Sequence, residues 1–245
     1  MSRPVATVER AVAVLHALAD SATDLGNNEI ARRTRINPST VSRLLATLAK
    51  DELVSRGADG AFRLGPRLVE LGNAALARVD MRQLCRPHLL ALTETTGETA
   101  TMSVPYEEGT ITVDFVQSPS SVRSVAQVGR PSVAHATATG KVFLAYAGAL
   151  PPVNGSLPAY TSATITDVSV LAAEIEAIGK RGWAMAVGER EHELNAVAAP
   201  VLRRDGDLAA VLGVQGPASR FGRRAMRAAA EALTDHSEAL SASTR

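Results

Sequence analysis

The first fifty residues carry apolar side chains at helical spacing. Residues 8–18 hold one apolar stripe and predict an amphipathic helix: Val8, Ala11, Val12, Leu15 and Leu18. Asn27 or Asn28 is suited to cap a second, short helix through residues 29–32. Asn37-Pro38 predicts the start of a third helix, because Asn is favoured as an N-cap and Pro at the first helical position. The apolar stripe of this third helix is Val41, Leu44, Leu45 and Leu48.

Two short strands and a further helix are predicted next. Residues 53–56 and 62–64 have the composition of strands, and Asp59-Gly60 between them is typical of a hairpin turn. Pro66 interrupts the pattern, and a helix is predicted from Arg67 to about Val79. Three helices followed by a two-stranded wing are therefore expected before residue 66.

The remaining residues predict a mixture of strands and helices. Strands are expected over residues 99–104, 110–117, 183–187, 195–201 and 208–215, with turns at Glu108-Gly109 and Asp205-Gly206. A helical pattern ends at Gly97, and further helices are expected over residues 135–146, 167–181 and 220–240. The chain thus divides near residues 66–82 and is predicted to be an α+β protein.

Bulk composition excludes several classes of protein. Hydrophobic residues make up 46% of the 245 positions and charged residues 21%, which is typical of globular proteins and excludes global disorder. The only cysteine, Cys85, permits no intrachain disulfide and fits a reducing compartment. The N-terminus does not resemble a signal peptide, and no apolar run approaches the ~18 residues of a membrane span. We expect a cytoplasmic protein with no membrane partner.

Charge is distributed unevenly behind a formal net charge of +1. Residues 1–86 hold 13 basic and 9 acidic side chains, whereas residues 87–245 hold 13 basic and 16 acidic ones. Residues 30–50 contain five cations and no acidic residue: Arg32, Arg33, Arg35, Arg43 and Lys50. A short helix, a turn and a second helix with small polar residues on its outer face are typical of a helix-turn-helix that enters the major groove.

This interpretation nominates specific DNA contacts. Small side chains allow a helix to lie close to the bases, and an arginine can contact a guanine edge or a phosphate. We therefore expect Ser39, Thr40, Ser42 and Arg43 to contact double-stranded DNA, with Arg56 and Arg63 on the wing contacting its backbone or minor groove. The alternative is a solvated helix face with incidental arginines.

The second half offers no catalytic constellation. The segment ATGKVF at residues 138–143 lacks the glycine spacing of a phosphate loop. His135 near Ser132 has no evident third partner, and a histidine bonded to backbone is the better interpretation. The segment with Glu189, Glu191, His192 and Glu193 is interpreted as a solvated turn, and Cys85 as a packed residue. No metal site, cofactor or catalytic residue is predicted, and an enzyme that processes a small acid remains the alternative to a regulator.

Several segments together resemble the IclR family of bacterial transcriptional regulators. The first are VERAVAVLHALAD and NNEIARRTRINPSTVSRLLATLAKDELVSRGADGAFRLGPRLVELG. They continue as RPHLLALTETTGET, VGRPSVAHATATGKVFLA, RGWAMAVGEREHELNAVAAPV and VLGVQGPASR, in the family's order over nearly the whole chain. The resemblance implies a winged helix-turn-helix over residues 1–66, a linker helix over 67–82 and a GAF-like effector-binding domain over 83–245.

The resemblance also implies how such a protein acts. The recognition helix is 38–50, and Arg10 matches the Glu-Arg pair that the family's first helix places near the DNA backbone. A homodimer formed through the first domain and linker, or a dimer of dimers, implies a palindromic operator. A small-molecule effector is expected to control operator affinity, and repression and activation are equally compatible with this scheme.

The effector site implied by the resemblance lies under the loop before HATATGK. Matched position by position, it comprises Ala138, Thr139, Asn195, Ala196, Gly213 and Gln215. Many relatives have an acidic pair where this chain has Ala186-Val187, Arg-Cys at Asn195-Ala196, and a small hydroxyl residue at Gln215. These departures make one pocket wall less polar, which favours a small organic acid, or its derivative, with an aromatic or otherwise apolar body.

Overall fold

The computed structural model describes residues 5–77, 81–122, 126–147 and 156–244. The chain divides into two compact units, Met1–Arg78 and Val79–Arg245. No helix in the described ranges is both long enough and apolar enough to cross a membrane. Each unit has its own hydrophobic core and is described separately below.

The first unit contains three helices, a two-stranded wing and a fourth helix. In chain order they are α1 (Ala6–Ala19), α2 (Asn27–Thr34), α3 (Pro38–Lys50), β1 (Val54–Arg56), β2 (Phe62–Leu64) and α4 (Arg67–Ala77). The predicted stripe of α3 lies in the core, where Val41, Leu44, Leu45 and Leu48 pack with Ile30 and Val54. The stripe predicted for α1 is only partly right: Leu18 is buried and Ala11 and Leu15 are partly buried, but Val8 and Val12 are exposed and Val14 is buried in the core instead. The wing strands pair antiparallel, and Gly60 takes the left-handed conformation expected of the predicted turn.

Helix capping in this unit matches one sequence expectation and contradicts another. The Asn37 side chain accepts a hydrogen bond from the N–H of Ser39, so Asn37 caps α3 as predicted. The prediction that Asn27 or Asn28 caps α2 is wrong, because Gly26 occupies the N-cap position without a side-chain bond. The Asn27 amide instead donates to the carbonyl of Pro38 at 3.2 Å, which ties α2 to the start of α3.

The second unit is a five-stranded antiparallel sheet covered on both faces by helices. Its elements are α5 (Met81–Thr96), β3 (Thr99–Tyr106), β4 (Gly109–Val116), α6 (Ala138–Tyr146), α7 (Val168–Arg181), β5 (Ala184–Val187), β6 (Leu194–Leu202), β7 (Leu208–Pro217) and α8 (Arg223–Ser243). The strand order is β4-β3-β7-β6-β5. Helix α5 packs with α8, whereas α6 packs with α7.

Two boundaries of the second unit differ from the sequence expectation. The helix predicted from His135 begins only at Ala138, because Thr137 is its N-cap and the Thr137 side chain accepts from the N–H of Gly140. The turn expected at Glu108-Gly109 falls one residue earlier, since Tyr106 pairs with Gly109 and Glu107 takes a positive φ of 47°. The predicted end of the linker helix near Val79 lies outside the described residues.

Candidate functional site

The exposed face of α3 carries most of the predicted DNA contacts. Burial alternates along the helix, so that Val41, Leu44 and Leu45 are buried while Ser39, Ser42 and Arg43 are exposed and Thr40 is partly exposed. The Ser39 hydroxyl lies 2.8 Å from the Asn37 amide oxygen, which holds it at the helix start. Arg43 forms no ion pair with any described residue, so its guanidinium is available to an external anion.

The five cations counted between residues 30 and 50 are not equally available. Glu29 accepts hydrogen bonds from Arg32 at 2.6 and 2.9 Å and from Arg33 at 2.8 Å. These two arginines lower the pKa of Glu29 to about 2, from a usual value of 4.5. Glu29 therefore remains ionised and neutralises part of the charge on α2. Glu29 lies one residue before the counted residues 30–50, so the count of five cations overstates the charge that is free to bind DNA.

The wing and α1 carry the other predicted contacts. Arg56 lies over the ring of Phe62, with its guanidinium carbon 5.5 Å from the ring centre. Arg63 forms an ion pair with Asp24 at 3.3 Å in which both side chains are accessible to solvent. Arg10 is exposed on α1. Exposed ion pairs contribute about 0–1 kcal/mol, so the pair with Asp24 does not hold Arg63 away from a phosphate.

A cavity of about 100 Å³ lies in the second unit, between the sheet and the segment before α6. Its walls include five of the six predicted effector residues: Ala138, Thr139, Ala196, Gly213 and Gln215. Further polar walls come from Thr101, Thr112 and Gln127, and apolar walls from Ala136, Ala186, Leu194 and Val214. The volume is comparable with the ~150 Å³ cavity that holds one benzene ring.

Asn195 is the sixth predicted effector residue, and the structure does not place it in this cavity. Successive side chains of a strand point to opposite faces of the sheet, so Asn195 and its neighbour Ala196 cannot both face α6. The Asn195 side chain is buried, accepts from the N–H of Gly188 at 3.0 Å and donates to the carbonyl of Phe221 at 2.8 Å. Asn195 therefore ties the end of β5 to the segment before α8.

The N-terminus of α6 presents hydrogen-bond donors to the cavity. In the described part of the chain, the Gly140 and Lys141 N–H groups bond to Thr137, and those of Ala138 and Thr139 have no acceptor. Unpaired N–H groups and the helix dipole both favour an anion at this position. Gly140 fixes the geometry, because a Cβ there would lie 2.6 Å from the Cα of Ala134.

Sequence reasoning missed a buried ion pair that joins this helix to the residues after β5. Lys141 has 1% of its side chain exposed, and its Nζ lies 2.6 Å from Oε1 of Glu189, whose side chain is 9% exposed. Lys141 also donates to the carbonyl of Met185 at 3.2 Å. The turn of residues 189–193 is expected from the sequence to be solvated, but only part of it is, because Glu189 is buried and anchors the turn inside the protein. An isolated lysine and a glutamate 48 residues later give no sequence signal of pairing.

The other side chains considered for catalysis or metal binding have structural roles or no suitable partners. The Nε2 atom of His135 lies 2.9 Å from the carbonyl oxygen of Pro158, whereas the Ser132 hydroxyl accepts from the N–H of Thr110 at 2.9 Å. The two side chains therefore do not form a nucleophile and base pair. Cys85 is fully buried, and burial raises the pKa of its thiol to about 12. Within the described ranges, no three metal-binding side chains cluster.

Family models match both units of the chain. The model of the IclR helix-turn-helix domain matches residues 7–57. The model of the bacterial transcriptional regulator IclR C-terminal domain matches residues 73–242. Together the two matches cover α1 to α3, the first wing strand and the residues that line the cavity, whereas β2 lies between the two matches.

Individual relatives match most of the length of this chain. The regulator BhcR of Paracoccus denitrificans is 30% identical over 97% of this chain and 86% of its own length. A crystal structure of an IclR regulator from Alicyclobacillus acidocaldarius superposes with a TM-score of 0.86 at 27% identity, covering 98% and 99% of the two chains. An IclR homologue from Microbacterium hydrocarbonoxydans, solved with 4-hydroxybenzoate, is 25% identical with a TM-score of 0.77, over 95% and 99%.

A helix-turn-helix unit joined to a unit with a small-molecule cavity defines a DNA-binding transcriptional regulator with its own effector domain. The chain belongs to the IclR family of bacterial transcriptional regulators. Its relatives are named as regulators and not as enzymes, so the small-acid-processing alternative is set aside.

Proposed function

We propose that this regulator binds a palindromic operator as a homodimer, or as a dimer of dimers, and that a small organic acid controls its operator affinity. Residues 1–66 bind the operator DNA, residues 67–82 form the linker, and residues 83–245 bind the effector. The observation that carries the proposal is the presence in one chain of a helix with an exposed polar face, α3, and a small cavity beside the unpaired N-terminus of another helix, α6.

The proposed DNA interface comprises Arg10, Ser39, Thr40, Ser42, Arg43, Arg56 and Arg63. Ser39, Thr40 and Ser42 allow α3 to approach the groove, and Arg43 supplies the long side chain that reaches a base edge or phosphate. Arg10, Arg56 and Arg63 contact the backbone on either side. Several phosphate contacts imply that affinity falls steeply as salt concentration rises.

The exposed apolar side chains of the first unit support a second copy of the chain as partner. Val5, the N-cap of α1, and Val8 on α1 are 64% and 59% exposed, and on α4, Val69 and Leu71 are 64% and 54% exposed. A monomer would leave these β-branched and leucine side chains in water, and a two-fold dimer would cover them. Dimerisation through α1 and α4 would pair two recognition helices for two half-sites.

The proposed effector is a small acid with an aromatic or otherwise apolar body. The carboxylate accepts hydrogen bonds from the N–H groups of Ala138 and Thr139, and the body packs against Ala196 and Gly213, with Gln215 nearby. Asn195 is not part of this proposal. The aromatic acid in the relative from Microbacterium hydrocarbonoxydans supports the same ligand class here.

The DNA half of the proposal is tested by gel mobility shift on the DNA upstream of the gene. Arg43→Ala should weaken specific binding by about ten- to a hundredfold, the range for losing a good base contact. Arg32→Ala is the matched control, because it removes another exposed positive charge, which Glu29 already neutralises. Equal losses in the two variants would assign Arg43 a purely electrostatic role. A wild-type protein that forms no salt-sensitive, competitor-resistant complex would overturn the proposal.

The effector half is tested by a thermal-shift screen of small carboxylates and aromatic acids, followed by mobility shifts with each ligand that binds. At a hundred times its dissociation constant, a ligand stabilises the folded state by about 2.7 kcal/mol. A true effector must also change operator affinity, because regulation requires different affinities for two states of the protein. A ligand that stabilises the protein and leaves operator binding unchanged would contradict the effector role.

A further inference from the structure

Among the residues that the structure describes, three charged side chains line the effector cavity, and they are not equivalent. Arg130, Arg190 and Glu191 contribute two positive charges and one negative charge to its walls. Arg130 and Glu191 neutralise each other through an ion pair of 2.9 Å between Nη2 and Oε1. Of these three charges, only the positive charge of Arg190 is therefore not neutralised by another.

Arg190 is a partly buried cation without a counter-ion. Among the described residues it forms no ion pair and no side-chain hydrogen bond. Its guanidinium lies over the ring of Tyr160, with 4.0 Å between Cζ and the ring centre. Stacking occupies the face of the guanidinium and leaves the N–H groups at its edge free to donate. Tyr160 therefore orients Arg190 without neutralising it.

The two residues before Arg190 are held firmly. The Thr161 hydroxyl donates to the carbonyl of Gly188 at 2.6 Å, and the Thr164 hydroxyl donates to the carbonyl of Glu189 at 2.6 Å. The buried ion pair between Lys141 and Glu189 fixes the residue just before Arg190. Arg190 is thus positioned before any ligand arrives, which reduces the entropy lost when it binds one.

We propose that Arg190 determines the charge preference of the effector site and selects a monocarboxylate over a neutral compound of the same shape. This inference rests on the proposed small-acid effector. The N–H groups of Ala138 and Thr139 favour an anion through the helix dipole, but they can also donate to a neutral carbonyl oxygen. Most of the discrimination by charge therefore falls to the unpaired guanidinium, whose hydrogen bonds to a carboxylate are charge-assisted and about twice as strong as neutral ones.

The experiment compares the full-length wild-type chain with Arg190→Gln by isothermal titration calorimetry. The ligands are benzoate and its neutral isostere benzamide, with 4-hydroxybenzoate as a second acid. Wild type should bind benzoate more tightly than benzamide. Arg190→Gln should weaken benzoate binding by about tenfold or more, the loss typical of a hydrogen bond to a charged group. Its affinity for benzamide should stay the same, so that most of the preference for the acid is lost.

Two further variants test the role of charge and of orientation. Arg190→Lys keeps the charge and should retain part of the preference for benzoate. Tyr160→Leu removes the ring under Arg190 and should lower the preference, whereas Tyr160→Phe keeps the ring and should preserve it. Thermal unfolding of each variant without ligand confirms that the fold is retained.

The matched control is Arg181→Gln. Arg181 also lies over an aromatic ring, 4.6 Å from that of Trp183, but it is paired with Glu174 and does not line the cavity. This variant should keep the wild-type ratio of benzoate to benzamide affinity. Any loss that it shares with Arg190→Gln would come from a general change in surface charge.

The outcomes separate this inference from the proposed function. One outcome is that wild type prefers benzoate while Arg190→Gln keeps the full preference or loses affinity for both ligands equally. In either case Arg190 does not discriminate between charged and neutral ligands, and the effector proposal stands. If wild type binds benzamide and benzoate with equal affinity, the charge preference itself is refuted. If wild type binds none of the three compounds, the proposed aromatic-acid class is overturned, and this inference is overturned with it.

Discussion

The buried pair of Lys141 and Glu189 supports a quantitative prediction about stability. Lys141→Met removes the cation and keeps a side chain of similar length. Glu189 then stays buried with a charge that has lost its partner, and its Oε2 atom already lacks a hydrogen bond among the described residues. Removing one partner of a buried ion pair costs about 3–5 kcal/mol, because the remaining charge is left without compensation.

That cost should be visible as a lower unfolding temperature. A domain of this size loses about 2–4 °C per kcal/mol, so we expect a decrease of about 10 °C for Lys141→Met. Trp183 is the only tryptophan and precedes β5, so its fluorescence reports unfolding of the second unit. Circular dichroism of the same samples follows both units together.

The double variant Lys141→Met with Glu189→Leu separates charge from packing. Replacing both partners with apolar residues removes the uncompensated charge, so the double variant should be more stable than Lys141→Met alone. A single variant within about 1 kcal/mol of wild type would refute the reasoning, since that is the scale of an exposed pair. A double variant that is less stable than the single one would show that packing, and not charge, dominates at this site.

Two other predictions follow from local geometry. Gly140→Ala should destabilise the second unit by about 1–3 kcal/mol, because its Cβ would overlap the backbone of Ala134, whereas Gly179→Ala in the open interior of α7 should be neutral or stabilising. Equal effects in urea unfolding would contradict this. Glu29, with a pKa of about 2, should support α2 at any pH above its usual 4.5, and this support should be lost as the pH falls from 4.5 towards 2. A carboxyl resonance of Glu29 that titrates near 4.5 by NMR would show that Arg32 and Arg33 do not bind it in solution.

Local sequence signals account for most of the secondary structure. The Asn37-Pro38 start of α3 matches its prediction, and α7 ends at Arg181 as predicted, with Gly182 as its C-cap, because capping depends on a few neighbouring residues. The boundary of α6 was missed by three residues, since His135 and Ala136 continue the helical pattern but lie before the Thr137 cap. The error at Asn27 has a different cause: its side chain bonds to the carbonyl of Pro38, eleven residues away, and no local pattern predicts that contact.

The sequence by itself determined the helix-turn-helix, the wing, the α+β class and the family resemblance, because these depend on periodicity, caps and turns within short segments. Only the tertiary structure decided which side chains meet in the cavity. Alternation along β6 sends Asn195 away from the pocket and Ala196 into it. Folding also brings Arg190 over Tyr160, thirty positions earlier in the chain, and leaves it without a counter-ion. Such contacts join residues far apart in sequence, so no local pattern encodes them, and the charge of this pocket becomes visible only once the chain is folded.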